Sequence, residues 1–205
     1  DTLFSKVVSL HGNKCAQVIT NGRFSRIYPI ESKSSANIAA AIADFADDVG
    51  IPDTMICDLA TEQTGRHSDA MKEMRRLGVR VLPAEKGCGT KQNHKAETEI
   101  REIKTKWKIR MREGNIPRRL WDYGLVYIAE LQSIIARGCK QRPGMESVSG
   151  QTIDISEWLD FDFYERVWYW DDKKMDMNDE QAPIGRWLGI AHRIGSDMTY
   201  WILTM

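Results

Sequence analysis

Three carboxylates occupy positions in the sequence at which a metal ion could be bound. Asp1 opens the first strand-like stretch, Asp58 directly follows a short apolar run, and Glu97 lies near the start of a long helical pattern. A carboxylate at the end of a strand and one on a helix that packs on the same sheet can converge. Mg²⁺ prefers oxygen ligands and is held by a few carboxylates together with water and phosphate oxygens. Chance placement is the competing interpretation, because the chain has 29 acidic residues.

The elements that must position these carboxylates follow from the spacing of apolar residues and turn residues. Asn21-Gly22 is the strongest hairpin signal in the chain, between runs typical of strands. Apolar residues then recur at helical spacing. The patterns predict, in order, strands over 1–10, 15–20 and 24–30, a helix over 34–50, a strand over 54–57, a helix over 68–77, a strand over 79–82 and helices over 96–113 and 117–135. This order predicts an α/β fold with a mixed five-stranded sheet flanked by helices.

The last 67 residues have a different character, and we expect a division into a core over 1–138 and a connector with a small β-rich unit over 139–205. Three aromatic-rich stretches, 163–170, 184–194 and 198–203, are strand candidates. Their tryptophans allow two interpretations, a nucleic-acid stacking platform or a small β core. These residues are Trp168, Trp170, Trp187 and Trp201.

Charge is unevenly distributed although the whole chain is neutral, with 29 basic and 29 acidic residues. Between 86 and 119 there are eleven basic and four acidic residues, a net charge of +7. Between 154 and 182 there are ten acidic and three basic residues, a net charge of −7. Such asymmetry favours a nucleic-acid contact on the 86–119 face. A solvated helix face is the alternative.

Composition excludes several classes of protein. Apolar residues make up 42% of the chain and it has seven Trp, six Tyr and five Phe, which argues against disorder. No apolar run approaches the roughly 20 residues that span a bilayer, so we expect no membrane partner. The four cysteines form no CxxC pair, which disfavours a zinc site and makes Cys15 and Cys57 candidate core residues.

Several segments resemble the integrases of copia-type LTR retrotransposons. Residues 91–97 (KQNHKAE) and 100–104 (IREIK) resemble the segment that carries the last catalytic acid of that family, and 119–124 (RLWDYG) resembles the helix that follows. Residues 150–156, 185–189 and 199–203 resemble later parts of the same Pol polyproteins. These segments occur in the family's order and cover nearly the whole chain.

The resemblance implies a ribonuclease H-like fold and an Asp, Asp, Glu triad of catalytic residues and metal ligands. The triad corresponds here to Asp1, Asp58 and Glu97. It implies two Mg²⁺ or Mn²⁺ ions and DNA as partner, both element ends and target. Basic and polar residues near Glu97 are the expected DNA contacts. They are Lys91, Asn93, Lys95, Arg101, Lys104 and Lys108.

The activity that the resemblance implies is 3′ processing and strand transfer of element DNA by a homo-oligomer, in the nucleus after a cytoplasmic particle stage. We also expect the chain to be a fragment of a longer polyprotein. It departs from the family pattern at Leu59, where a small or polar residue is usual.

Two other functions stay open. One is a ribonuclease H-type nuclease that cuts without joining, and the other is an inactive, domesticated fragment that only binds nucleic acid. Single residues have alternatives as well: His94 could orient a phosphate or be a simple loop residue, and Glu62 could support the site or be solvated. Trp107 is expected in the core.

Overall fold

The structure is a computed structural model that describes residues 1–57, 65, 67–83, 94–137, 142–170, 182–194 and 198–204. The strands in these ranges are β1 (Thr2–Phe4), β2 (Cys15–Thr20), β3 (Ser25–Ile30), β4 (Thr54–Cys57), β5 (Arg80–Pro83), β6 (Arg166–Trp168), β7 (Ile184–Ile190) and β8 (Tyr200–Thr204). The helices are α1 (Ser35–Val49), α2 (Asp69–Arg76), α3 (His94–Glu113), α4 (Trp121–Ile134), α5 (Gly144–Ser149) and α6 (Ser156–Leu159). A 3₁₀ turn, Arg118–Leu120, precedes α4.

The first three strands form an antiparallel meander, β1-β2-β3. The predicted Asn-Gly hairpin is confirmed, since Asn21 Oδ1 accepts the N–H groups of Arg23 and Phe24 at 2.9 Å each. Gly22 has φ of +92°, a conformation that glycine adopts without strain. The turn thereby fixes the register of β2 and β3 from Cys15 opposite Ile30 to Thr20 opposite Ser25.

Side-chain caps define the starts of α1 and α2, next to the predicted helix starts at residues 34 and 68. Ser34 Oγ accepts the N–H of Asn37 at 3.2 Å, and Ser68 Oγ accepts the N–H of Met71 at 3.2 Å. Each bond satisfies an N–H that has no partner within its helix. Gly50 and Gly78, which follow α1 and α2, both have positive φ.

The predicted single sheet of five strands is not found in the part of the chain that the structure describes. β1, β2 and β3 form one sheet, and β4 pairs only with β5, in parallel, from Thr54 opposite Arg80 to Cys57 opposite Pro83. The three residues of β1, Thr2–Phe4, all pair with β2. β1 does not extend along β4.

Helices cover both faces of the meander. An apolar cluster between the sheet and α1 and α2 includes Cys15, Ile30, Ile42 and Met74. A larger cluster on the other face joins the sheet to α3 and α4. Trp107 of α3 belongs to it and is 6% exposed, which confirms its predicted place in the core.

The last three strands form an antiparallel sheet, β6-β7-β8, that packs on α4. β6 is shorter than predicted because Tyr164 has φ of +69° within a turn in which Glu165 N–H donates to Asp162 O at 2.9 Å. Phe163, within this turn, stacks on Tyr127 of α4 at 5.3 Å between ring centroids. The proposed unit over 139–205 therefore shares the larger apolar cluster with α3 and α4, and the division at 138 stays a prediction.

The four tail tryptophans have different surroundings. Trp187 is fully buried in the larger cluster, as the β-core interpretation expects. That interpretation is wrong for Trp168 and Trp170, which are 69% and 59% exposed. Trp201 lies between these cases at 40% exposure and packs edge-on against Tyr123.

Candidate active site and nucleic-acid interface

Asp1 is held at the edge of β2 by backbone hydrogen bonds. Its N-terminal group donates to Val18 O at 3.0 Å, and Val18 N–H donates to Asp1 O at 2.8 Å. The N–H of Thr2 donates to Asp1 Oδ1 at 2.7 Å, which restricts the orientation of the carboxylate. The side chain is half-buried and lines a cavity.

This cavity, of about 510 Å³, is lined by Asp1 and by residues that are next in sequence to the other two predicted acids. Its lining includes Asp1, Cys57 at the end of β4, and Lys95 and Ala96 in the first turn of α3. Asp58 directly follows Cys57 in the sequence, and Glu97 directly follows Ala96. Burial raises the pKa of the Cys57 thiol, and Cys57 and Asp1 line the same cavity.

The structure describes two of the three predicted acids. Glu97 is exposed in the first turn of α3, beside the cavity rather than in its lining. Asp58 and Glu62 lie outside the described residues. Within those residues, no group of three His, Cys, Asp or Glu side chains could hold a metal ion. The donors fit Mg²⁺ in kind, because a carboxylate supplies the oxygen ligands that this ion prefers.

Among the described residues, Lys95 is the predicted DNA contact that lies at the cavity lined by Asp1. It is exposed and lines the same cavity. Its aliphatic carbons lie over the β2–β3 turn, since a Cβ atom added to Gly22 would be 3.3 Å from Lys95 Cδ. Lys91 and Asn93 lie outside the described residues, and of His94 the structure describes only the backbone, which begins α3.

Arg101, Lys104 and Lys108 form a basic stripe on α3. They are spaced by three and four residues, which places them on one side of a helix. Burial lowers the pKa of Lys104 and the charge of Lys108 lowers it further. In the part of the chain that the structure describes, no carboxylate pairs with any of the three. The stripe is therefore available to an anionic partner.

The fold has counterparts among solved structures. The chain is similar to the catalytic core domain of BIV integrase, with a TM-score of 0.53 and 12% sequence identity over 66% of this chain and 84% of that one. It is also similar to a simian T-cell lymphotropic virus intasome in complex with PP2A regulatory subunit B56 gamma, with a TM-score of 0.55 and 13% identity over 93% of this chain and 69% of that one. The fold is integrase-like. No protein-family model and no curated protein matches the sequence.

Within this integrase-like fold, sequence reasoning missed the role of Glu99. It is 4% exposed, and Arg137 donates to its two carboxylate oxygens at 2.7 and 3.0 Å. Ser25 Oγ lies 3.4 Å from Glu99 Oε2. The available signal was helical spacing, because Glu99 precedes the core residue Ile103 by one turn.

A second buried carboxylate, Glu130 on α4, connects distant parts of the chain. It is 4% exposed and accepts from Arg26 at 3.0 Å, and His192 Nε2 lies 2.9 Å from it. Trp158 Nε1 is 3.4 Å from its other oxygen. No local sequence pattern could identify this group, since its members are 28 to 104 residues from Glu130.

Arg193, which follows β7 of the C-terminal sheet, forms ion pairs with α1. Arg193 donates to Asp44 at 2.6 Å and to Asp48 at 2.8 Å.

Among the described helices, none is long and apolar enough to cross a membrane.

Proposed function

We propose that this protein is the catalytic core of a copia-type LTR retrotransposon integrase, which processes the 3′ ends of element DNA and joins them to target DNA. One observation carries the proposal. The cavity of the integrase-like fold collects Asp1, the residue before Asp58 and the residue before Glu97. The family resemblance assigns the catalytic acids to Asp1 and to the two residues that follow the other lining positions, Asp58 and Glu97.

The proposed roles of the acids follow from their positions. Asp1, Asp58 and Glu97 would hold two Mg²⁺ or Mn²⁺ ions. Such a pair, when bound, activates a water or a 3′-hydroxyl and stabilises the leaving oxygen. Asp1 is suited to this role because the β2 ladder and the Thr2 N–H fix its carboxylate before any ligand arrives. Asp1 directly precedes β1 and Glu97 lies on α3. The two acids can therefore share a site only if β1 and α3 keep their relative position.

The proposed DNA path runs along α3. Lys95 at the cavity would contact phosphates close to the reacting bond, and Lys91 and Asn93 in the preceding segment would do the same. Arg101, Lys104 and Lys108 would follow the backbone further, over about 10 Å from the first to the last at 1.5 Å per residue. Phosphate contacts of this kind position the duplex without reading its sequence.

The acidic segment bounds this path at the other end of α3. Asp162 lies within the stretch of net charge −7 and pairs with Arg110 at 2.6 Å. This contact neutralises a basic residue near the end of α3 and leaves the stripe closer to Glu97 unpaired. We therefore place DNA on the first three-quarters of the helix, up to Lys108.

Strand transfer with a labelled DNA end tests the proposal. Asp58→Asn removes a charge at the site without changing the size of the side chain, so it should abolish Mg²⁺-dependent joining and leave the fold intact. Asp53→Asn is the matched control, because Asp53 is exposed just before β4, at the opposite end of that strand. Joining that survives in Asp58→Asn would contradict the triad. Cleavage without joining would indicate a nuclease, and DNA binding without either reaction a binding module.

We further propose that the protein acts as a homo-oligomer, in the nucleus after a cytoplasmic particle stage. The similar simian virus structure is an intasome, and the family resemblance implies the same kind of assembly here. Light scattering of the protein with and without element-end DNA would measure the subunit number. A monomer under both conditions would contradict the assembly.

A further inference from the structure

A second cavity, of about 380 Å³, lies between the meander and the C-terminal sheet. One side of α4 forms its base through Asp122, Val126 and Glu130, which follow one another at intervals of four residues. The β1–β2 connection and β3 line one wall, and β7 together with Trp201 of β8 lines the other. No described residue lines both this cavity and the 510 Å³ cavity of the candidate site.

Aromatic side chains line the second cavity from two elements. Tyr123 and Tyr127 come from α4, and Trp201 comes from β8. The ring centroids of Tyr123 and Trp201 lie 6.3 Å apart and their planes are inclined at 67°, so the two rings form adjacent walls rather than a stack. His11 Nε2 lies 2.6 Å from the Tyr123 hydroxyl, which restricts the orientation of that ring. Rings arranged in this way attract cations that carry alkyl groups.

The carboxylates of the cavity differ in their partners. Glu130 accepts from Arg26 at 3.0 Å, so its charge is balanced. Asp122 is 2% exposed and accepts from two neutral donors, Asn13 Nδ2 at 3.1 Å and the N–H of Tyr123 at 3.0 Å. No cation of the described chain forms an ion pair with Asp122. A buried carboxylate without a cation keeps the cost of its desolvation, and a cation bound in the cavity would reduce that cost.

We propose that the second cavity binds an alkylated ammonium ion. The rings of Tyr123, Tyr127 and Trp201 would surround its alkyl groups, and the Asp122 carboxylate would balance its charge. The volume lies in the range of small-ligand sites, about 300–1,000 Å³. Gly189 of β7 adds no side chain to the wall, and a Cβ atom there would meet no atom within 4 Å.

Other cations fit the cavity less well. A primary ammonium group has three N–H donors to satisfy, whereas both oxygens of Asp122 already accept hydrogen bonds. A metal ion such as Mg²⁺ requires several oxygen ligands, and much of this lining is aromatic. A quaternary ammonium ion needs neither. It could be a free small molecule or the trimethylated lysine side chain of a protein, and the chemistry of recognition is the same for both.

Titration with choline, followed through the NMR signal of the Trp201 indole N–H, tests the inference. The matched control ligand is dimethylbutanol, in which a carbon atom replaces the quaternary nitrogen of choline. We expect a saturable shift with choline and binding of dimethylbutanol that is weaker by about tenfold or more, because the alcohol has no charge for the rings and Asp122 to attract. A short peptide that contains trimethyllysine is the second probe. Tighter binding of the peptide than of choline would identify a protein side chain as the ligand, and the reverse would identify a free cation.

Substitutions locate the binding site, with calorimetry as the measurement. Trp201→Leu removes one ring of the wall at a partly exposed position and should weaken choline binding by about tenfold. Trp168→Leu is the matched control, because Trp168 is exposed on β6 of the same sheet and does not line the cavity. Asp122→Asn removes the unbalanced charge and should weaken choline binding as well. Should this buried substitution prevent folding, Trp201→Leu still tests the site.

Three outcomes would overturn the proposal. They are the absence of saturable binding with both choline and the peptide, equal affinities for choline and dimethylbutanol, and equal effects of Trp201→Leu and Trp168→Leu. None of these measurements involves DNA or a metal ion. The inference is therefore independent of the proposed DNA chemistry, and a failed strand-transfer assay leaves it unaffected.

Discussion

Glu97 and Glu99 lie two residues apart on α3 and have opposite surroundings. Glu97 is exposed beside the cavity, whereas Glu99 is buried and bonded to Arg137 through both oxygens. A buried carboxylate whose partner is removed keeps the cost of its desolvation. We infer that Glu99 maintains the fold, and we propose that Glu97 serves the chemistry.

Substitutions separate these two roles. Arg137→Met leaves Glu99 buried without its cation and should lower the free energy of unfolding by about 3 kcal/mol. Glu97→Gln should change it by less than about 0.5 kcal/mol, as expected at an exposed position. Urea unfolding measures both values. A stable Arg137→Met variant would show that the pair contributes little.

The charged Lys104 side chain is destabilised by burial and by Lys108, and we propose that it also contacts DNA. Burial and Lys108 lower its pKa, so the folded state binds this proton less tightly than the unfolded state. Lys104 therefore makes the free energy of unfolding depend on pH only in the alkaline range. There the free energy of unfolding rises as the pH passes through the lowered pKa of the folded state. At neutral pH, Lys104→Met should keep or raise stability by up to about 0.5 kcal/mol.

The same variant should weaken DNA binding. Losing one phosphate contact should reduce the slope of log affinity against log salt by about 0.9. Lys106→Met is the control, because Lys106 is exposed on the same helix and two residues from Lys104 turn through about 200°. Equal slopes for the two variants would contradict the assignment of the basic stripe.

At the residue scale, the sequence offers candidates for the chemistry but does not reveal the side-chain contacts. The candidate acids and basic residues could be chosen from the resemblance and from the charge of 86–119. The partners of Glu99 and Glu130 could not, because Arg137 and Arg26 reach them only after the helices have packed on the sheet. Nothing local marks an acid that will be paired in this way.

At the element scale, α3 and α4 approach closely at a glycine. A Cβ atom on Gly124 would lie 2.2 Å from Trp107 Cζ3, closer than atoms can pack. Gly124→Ala should therefore displace the indole and lower the free energy of unfolding by about 1 to 3 kcal/mol. Chemical denaturation measures the loss.

A second substitution tests the cause of this loss. Trp107→Phe shortens the ring that meets the new methyl group, so the double variant should lose less stability than the sum of the two single variants. Additive losses would show that Gly124 matters for another reason, such as helix geometry.

Elements with local signals were predicted well, and their assembly was not. The Asn21-Gly22 turn and the caps at Ser34 and Ser68 depend on neighbours within three residues, so the sequence contains all the information. Joining β1 to β4 depends on two edges that meet only in the folded chain. The predicted five-stranded sheet is not found at this join in the described part of the chain.

At the scale of the whole molecule, the C-terminal sheet is part of the principal core. Trp107 packs edge-on against Phe163 at 5.7 Å, and Trp187 packs against Tyr127 at 5.5 Å. A fragment of residues 1–138 would expose this apolar surface. We expect it to unfold at a lower temperature than the full chain and to bind the dye ANS.

Arg193→Ala in the full chain is the control for this comparison. Its ion pairs with Asp44 and Asp48 are partly exposed, and such pairs contribute about 0 to 1 kcal/mol. This variant should therefore resemble the original protein in both assays. A fragment of 1–138 that melts like the full chain would instead support two independent domains.

We propose that Asp1, Asp58 and Glu97 form one metal site in an integrase-like fold. Titration with Mn²⁺, followed by electron paramagnetic resonance of the free ion, tests it most directly. We predict saturable binding by the original chain and its loss in Asp1→Asn, Asp58→Asn and Glu97→Gln, with binding kept in Glu113→Gln at the far end of α3. Unchanged Mn²⁺ binding in all three variants of the triad would contradict the account.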